Sequence, residues 1–133
     1  MRRLFLKDKK GQTIIEFAMV LPILLLVLFG ITEFGRAIMV SNVLSTASRE
    51  GARIFIRFPP PDPSVVIARV DAVLVAASLD LTKRSITIDT TASFTGSVKV
   101  TVTYNFQVLS GGYLDFLGAR TWLLKGATVM RRE

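Results

Sequence analysis

The sequence predicts an α+β protein. A long N-terminal helix, its first half suited to crossing a membrane, precedes a small head with one further helix and a short antiparallel sheet. Three observations predict this. No residue from Phe17 to Thr32 is charged. Helical spacing continues beyond that run, with Val40, Leu44, Ala47, Gly51, Ile54 and Phe58 recurring every three or four residues on one face. Near the C-terminus, Val98, Val100, Val102, Tyr104, Phe106 and Val108 alternate with Lys99, Thr101, Thr103, Asn105 and Gln107, the period of a strand with one wet face.

At 1.5 Å per residue the uncharged run spans roughly 24 Å, and Ile14 and Ile15 bring it close to the hydrocarbon thickness of about 30 Å. A cleaved secretory signal would be shorter and end in a small-x-small site. Here Glu33-Phe34-Gly35-Arg36 follows, and helical sequence continues. One helix from about Thr13 to about Ile56, roughly 65 Å long, is therefore expected, apolar all round at first and amphipathic afterwards. Pro22 lies inside the run, where membrane helices tolerate a kink. Gly30 and Gly35 offer either close helix approach or a point of bending.

The first eleven residues carry Arg2, Arg3, Lys7, Lys9 and Lys10 against Asp8, a charge of +4, while the rest of the 133-residue chain has 12 basic and 9 acidic residues. A basic segment before an apolar run places the N-terminus in the cytoplasm. Most of the basic excess sits there and not on the head, so a nucleic-acid partner is not expected. The chain has neither cysteine nor histidine, which removes disulfides, thiolate metal sites, cysteine nucleophiles and the commonest general base. No phosphate-binding glycine loop appears. Catalysis, a metal, a cofactor and a small-molecule substrate are not expected.

Glu16 stands almost at the start of the apolar run, where a carboxylate is costly. It either snorkels at the end of an anchor or awaits a partner. Arg49, Arg53 and Arg57 recur every four residues and form a basic stripe near the helix C-terminus, where cations are favoured. The stripe reads either as a solvated face or as a contact for an acidic patch on another subunit.

Phe58-Pro59-Pro60-Pro61-Asp62-Pro63 ends the helix as a stiff extended connector. Asp62-Pro63-Ser64 caps a second helix over about Ser64 to Leu79. Val66, Val70, Val73, Leu74 and Ala77 form its inner face, and Arg69 and Asp80 look outward. A strand containing Ile86 and Ile88 follows and is joined to the 98–108 strand by a hairpin near Gly96. Residues 109–118, with a Gly111-Gly112 turn and Tyr113-Leu114-Asp115-Phe116-Leu117, read as a packed segment or as an exposed patch used in assembly. Arg120 to Arg131 reads as a last strand.

The order of basic leader, Gly11, then Gln12-Thr13-Ile14-Ile15-Glu16-Phe17 and the apolar run resembles the type IV prepilin cleavage motif. Ser48-Arg49-Glu50-Gly51-Ala52-Arg53 and the ending Ala127-Thr128-Val129-Met130-Arg131-Arg132-Glu133 resemble the TadE-like family of tight adherence (Tad/Flp) pilus systems. The resemblance implies a pilin-like architecture: leader 1–11, long helix 12–57 and periplasmic head 58–133. It implies a cut between Gly11 and Gln12 by a prepilin peptidase, which makes Glu16 the fifth residue of the mature chain. It implies docking through Glu16, with Phe17, Pro22 and Gly30 at the packing surface. The implied role is that of a minor pilin or pseudopilin in the bacterial inner membrane or in a pilus. Its partners would be other pilin-like subunits and the membrane assembly platform. An uncleaved signal-anchored periplasmic protein, a pseudopilin of a secretion apparatus and a small periplasmic hydrolase using Ser and Lys remain as rivals.

Overall fold

The computed structural model describes residues 9–57, 61–90, 97–108 and 121–131. Helix α1 runs Lys9–Phe55 and α2 runs Pro63–Ala76; a 3-10 turn over Leu81–Lys83 leads into β1 (Arg84–Asp89), β2 (Ser97–Gln107) and β3 (Thr121–Arg131). The α+β layout matches the expectation. Most of the basic leader, residues 58–60 of the proline run, the hairpin connection near Gly96, residues 109–120 and the last two residues lie outside the described residues.

α1 has 47 residues, roughly 70 Å of helix. It is continuous through Pro22. Near the end of the apolar run the Thr32 hydroxyl donates to the carbonyls of Leu28 and Phe29, so this polar side chain needs no water. From Glu33 onward one face turns inward. Val40, Leu44, Ala47 and Gly51 are buried, as the spacing predicts, while Ile54 is only half-buried and Phe58 lies outside the described residues. Ala37 and Ala52, which the spacing did not include, are buried as well.

α2 begins where the sequence says. Asp62 accepts a hydrogen bond from the Ser64 N–H at 3.0 Å, and Pro63 occupies the first turn, where its missing donor costs nothing. The helix ends earlier than expected, at Ala76 and not near Leu79. Ser78 adopts φ 57°, and the N–H groups of Ser78 and Leu79 bond back to the carbonyls of Val75 and Leu74. This 6→1 and 5→2 pair closes the helix in the Schellman manner. Serine gives no sequence signal for it, because glycine is the usual residue in the left-handed region. Val66, Val70 and Leu74 are fully buried on the inner face.

The sheet order is β1-β2-β3, antiparallel throughout, with Ile86 opposite Val102 and Val102 opposite Gly126. Val98, Val100, Val102, Tyr104 and Phe106 of β2 are buried, and the residues between them are not. Strict alternation thus assigns one β2 face to the core and one to water. α1 and α2 pack side by side over the core face. A Cβ placed on Gly51 would meet side chains of Val70, Val66 and Val100, so the glycine marks where α1, α2 and β2 converge.

Two polar contacts tie the layers. Ser48, fully buried on α1, donates or accepts at 2.7 Å with the Thr128 hydroxyl of β3 and also reaches the Ser45 carbonyl. Arg84 at the start of β1 pairs with Asp71 of α2 through two contacts of 2.5 Å.

Candidate functional site

The candidate site is the exposed surface of α1, in two stretches. The first is the apolar half. Phe17 is 62% exposed, and its neighbours Ile14, Met19, Ile23 and Leu24 are exposed to a similar degree. Added Cβ atoms at Gly11, Gly30 and Gly35 would meet nothing within 4 Å. Among the described residues nothing of the head covers this half, so its apolar surface calls for lipid or other helices. Within the helix, the Gln12 side-chain amide donates to the Glu16 carboxylate at 3.1 Å, one turn on. Three sequence-predicted residues, Gly11, Gln12 and Glu16, therefore share one end of the helix. Phe17, Pro22 and Gly30 lie further along the same bare segment.

The second stretch is the basic stripe. Arg49, Arg53 and Arg57 are exposed, and among the described residues none forms an ion pair. The backbone N–H of Arg57 bonds to the Ile54 carbonyl, which carries the stripe beyond the end of α1. The fold adds a residue that sequence spacing did not join to the stripe. Arg69 of α2 reaches Glu50 at 3.1 Å, and Glu50, Arg53, Ile54, Arg57 and Arg69 line a shallow cleft. The acidic residue is thus engaged by Arg69 and does not neutralise the stripe. Spacing along one helix could not reveal this pairing, because it depends on how α2 lies against α1.

Sequence reasoning also missed a membrane-proximal cluster. Arg36 pairs with the buried Glu33 at 2.8 Å, and its guanidinium carbon lies 4.9 Å from the centre of the Phe106 ring, within cation–π range. Only the Glu33–Arg36 spacing was visible in the chain.

Such a helix, bare and apolar for half its length and packed on an α+β head for the rest, defines a protein suited to membrane anchoring through one span. Among the described residues it is the one helix long and apolar enough to cross a membrane. Residues 11–53 match the family model of TadE-like protein. The match begins at the glycine read as the scissile residue, takes in residues 11–53 of the 133, and agrees with the resemblance seen in the sequence. No curated protein and no solved structure matches the chain.

Proposed function

We propose that the chain is a minor pilin or pseudopilin that primes, caps or anchors a Tad-type adhesive pilus. Its N-terminus would be cytoplasmic and its head periplasmic. The observation that carries this reading is the match over 11–53, which takes in nearly all of α1 and opens on Gly11, Gln12 and Glu16 at the start of its bare half.

In this reading a prepilin peptidase cuts between Gly11 and Gln12. The bond lies in the first turns of α1. Glycine lowers helix stability by roughly 1 kcal/mol relative to alanine, so this turn opens at low cost to an active site. The cut leaves an α-ammonium on Gln12 beside the unpaired N–H groups of the new helix end. Glu16 of a neighbouring subunit supplies the counter-charge, which offsets the desolvation of both ions in a helix bundle. Before cleavage the Gln12 amide holds that carboxylate. Arg49, Arg53 and Arg57 serve as contacts to acidic surface on neighbouring subunits or on the inner-membrane assembly platform.

The test is the N-terminal residue of the chain purified from membranes of cells with and without a prepilin peptidase. A start at Gln12 that depends on the peptidase supports the reading. A chain that retains the leader in both cells overturns it and leaves a plain membrane anchor. In peptidase-positive cells, Glu16→Ala is expected to yield cleaved chain that no longer crosslinks to pilin-like subunits.

A further inference from the structure

We propose that the cleft between Arg36 and Lys83 is a seat for the phosphate of an anionic phospholipid in the leaflet on the head side of the membrane. The proposal rests on membrane anchoring of α1, and not on cleavage or on pilus assembly.

Depth is the first argument. The uncharged run ends at Thr32, and Arg36 lies four residues further on, about 6 Å along a helix. The polar zone on each side of the hydrocarbon is of the order of 5–8 Å thick. Arg36 therefore stands at the depth of lipid headgroups.

The lining is the second. Arg36, Lys83, Tyr104, Phe106 and Gln107 share one cleft, brought together from α1, the 3-10 turn and β2. Arg36 spends one Nη on Glu33 and rests its plane on Phe106, which leaves further N–H donors on a side chain that is 42% exposed. Lys83 donates to Gln107 Oε1 at 2.7 Å and lies 3.9 Å from Asp80, with a third donor to spare. The Tyr104 hydroxyl accepts from the Asp80 N–H and keeps its own proton to give. These are donors of the kind that bind phosphate. Glu33 and Asp80 balance the charges of Arg36 and Lys83, so the seat holds a phosphate through its remaining N–H and O–H donors and not through net charge. An anionic lipid, whose headgroup places no cation of its own beside the phosphate, is the better acceptor for those donors.

Position is the third. Trp122 pairs with Phe106 across β2 and β3 and is 42% exposed, the placement of an interfacial aromatic. It is the chain's one tryptophan and stands one strand over from Phe106 in the cleft lining, so its fluorescence reports on lipid beside the cleft.

The experiment places the full chain in phosphatidylcholine vesicles containing a minor fraction of brominated phosphatidylglycerol or, in parallel, brominated phosphatidylcholine. Quenching of Trp122 by bromine measures which lipid stands beside it. Enrichment of the anionic lipid by about fivefold, the size expected for a cation near such lipids, is the expected result. Arg36→Gln with Lys83→Gln should abolish the enrichment. Arg36→Lys should keep it, and shows that a loss is not general unfolding. Lys9→Gln with Lys10→Gln should leave it unchanged, because those residues face the other leaflet. Equal quenching by the two lipids, or enrichment that survives Arg36→Gln with Lys83→Gln, overturns the proposal. Displacement of the lipid by millimolar inorganic phosphate at constant ionic strength overturns it in favour of a soluble-phosphate site. The absence of quenching by either lipid means that the chain is not anchored as read, a failure separate from that of the seat.

Discussion

Gly126 of β3 lies so close to Leu44 of α1 that a Cβ built on the glycine would stand 2.4 Å from the Leu44 carbonyl carbon and 2.5 Å from its oxygen. Backbone meets backbone there, and neither can rotate away. Gly126→Ala is therefore expected to destabilise the head by about 3 kcal/mol, at the upper end of overpacking costs. Gly51→Ala meets a side chain, Val70 Cγ2, at 2.9 Å, and should cost about 1–2 kcal/mol. Gly30→Ala meets nothing and should leave the head unchanged. Thermal unfolding of the full chain in detergent, followed by Trp122 fluorescence, ranks the three.

The left-handed backbone at Ser78 carries a steric cost of roughly 1 kcal/mol for a residue with a Cβ. Ser78→Gly removes that cost while the bonds to Val75 and Leu74 remain. It should raise stability by somewhat less than 1 kcal/mol, since glycine also gains freedom in the unfolded chain. A higher unfolding midpoint in denaturant, with an unchanged slope, is the expected reading.

The Asp71–Arg84 pair joins α2 to the edge strand β1, with each side chain less than a quarter exposed. Charge-assisted contacts of this kind contribute more than exposed pairs do. Asp71→Asn is expected to cost about 1–2 kcal/mol, and a double-mutant cycle with Arg84→Gln should show a positive coupling. Independent, additive effects would mean that the two side chains are held by packing and not by each other.

Acid should loosen both caps. The Ser64 backbone N–H, with its side chain adding to the effect, holds the Asp62 carboxyl below the ordinary aspartate range. The Thr82 backbone N–H and then its hydroxyl do the same for Asp80, with Lys83 contributing least. A depressed folded-state pKa means that the stabilisation is present above the unfolded value, about 3.9, and is lost as pH falls through the lower folded value. Head stability should decline below about pH 4. Asp62→Asn with Asp80→Asn should flatten that decline while lowering stability at neutral pH. An acid limb of unchanged steepness would assign the effect to other carboxylates.

Much of the fold was legible because its signals are local. The apolar run, the amphipathic continuation to Ile54, the Asp62-Pro63 cap and the alternation from Val98 to Phe106 each rest on neighbours within a turn or a few strand residues. At the candidate site, Glu16 stood out as a carboxylate at the start of an apolar run, and Gly11 and Gln12 only through resemblance to a cleavage motif; the Gln12–Glu16 hydrogen bond was not read from the chain. The early end of α2 was not legible, because a serine in the left-handed region gives no composition signal. Arg69 was read as merely facing outward. Its contact with Glu50 bridges 19 residues and needs α2 to lie beside α1. The Arg36 cleft needed three separate elements to meet.

The sequence by itself determined which part of α1 is apolar all round and which part has one buried face. It also determined which face of β2 turns to the core. These follow from residue period, and period survives any tertiary arrangement. Only the tertiary structure decided how β3 lies along α1. That placement presses Gly126 onto Leu44, joins Ser48 to Thr128 across 80 residues, and ranges Trp122 alongside Phe106 near Arg36. Such pairs depend on strand register and helix crossing, which are set by the packing of all layers at once and are written in no local stretch of the chain.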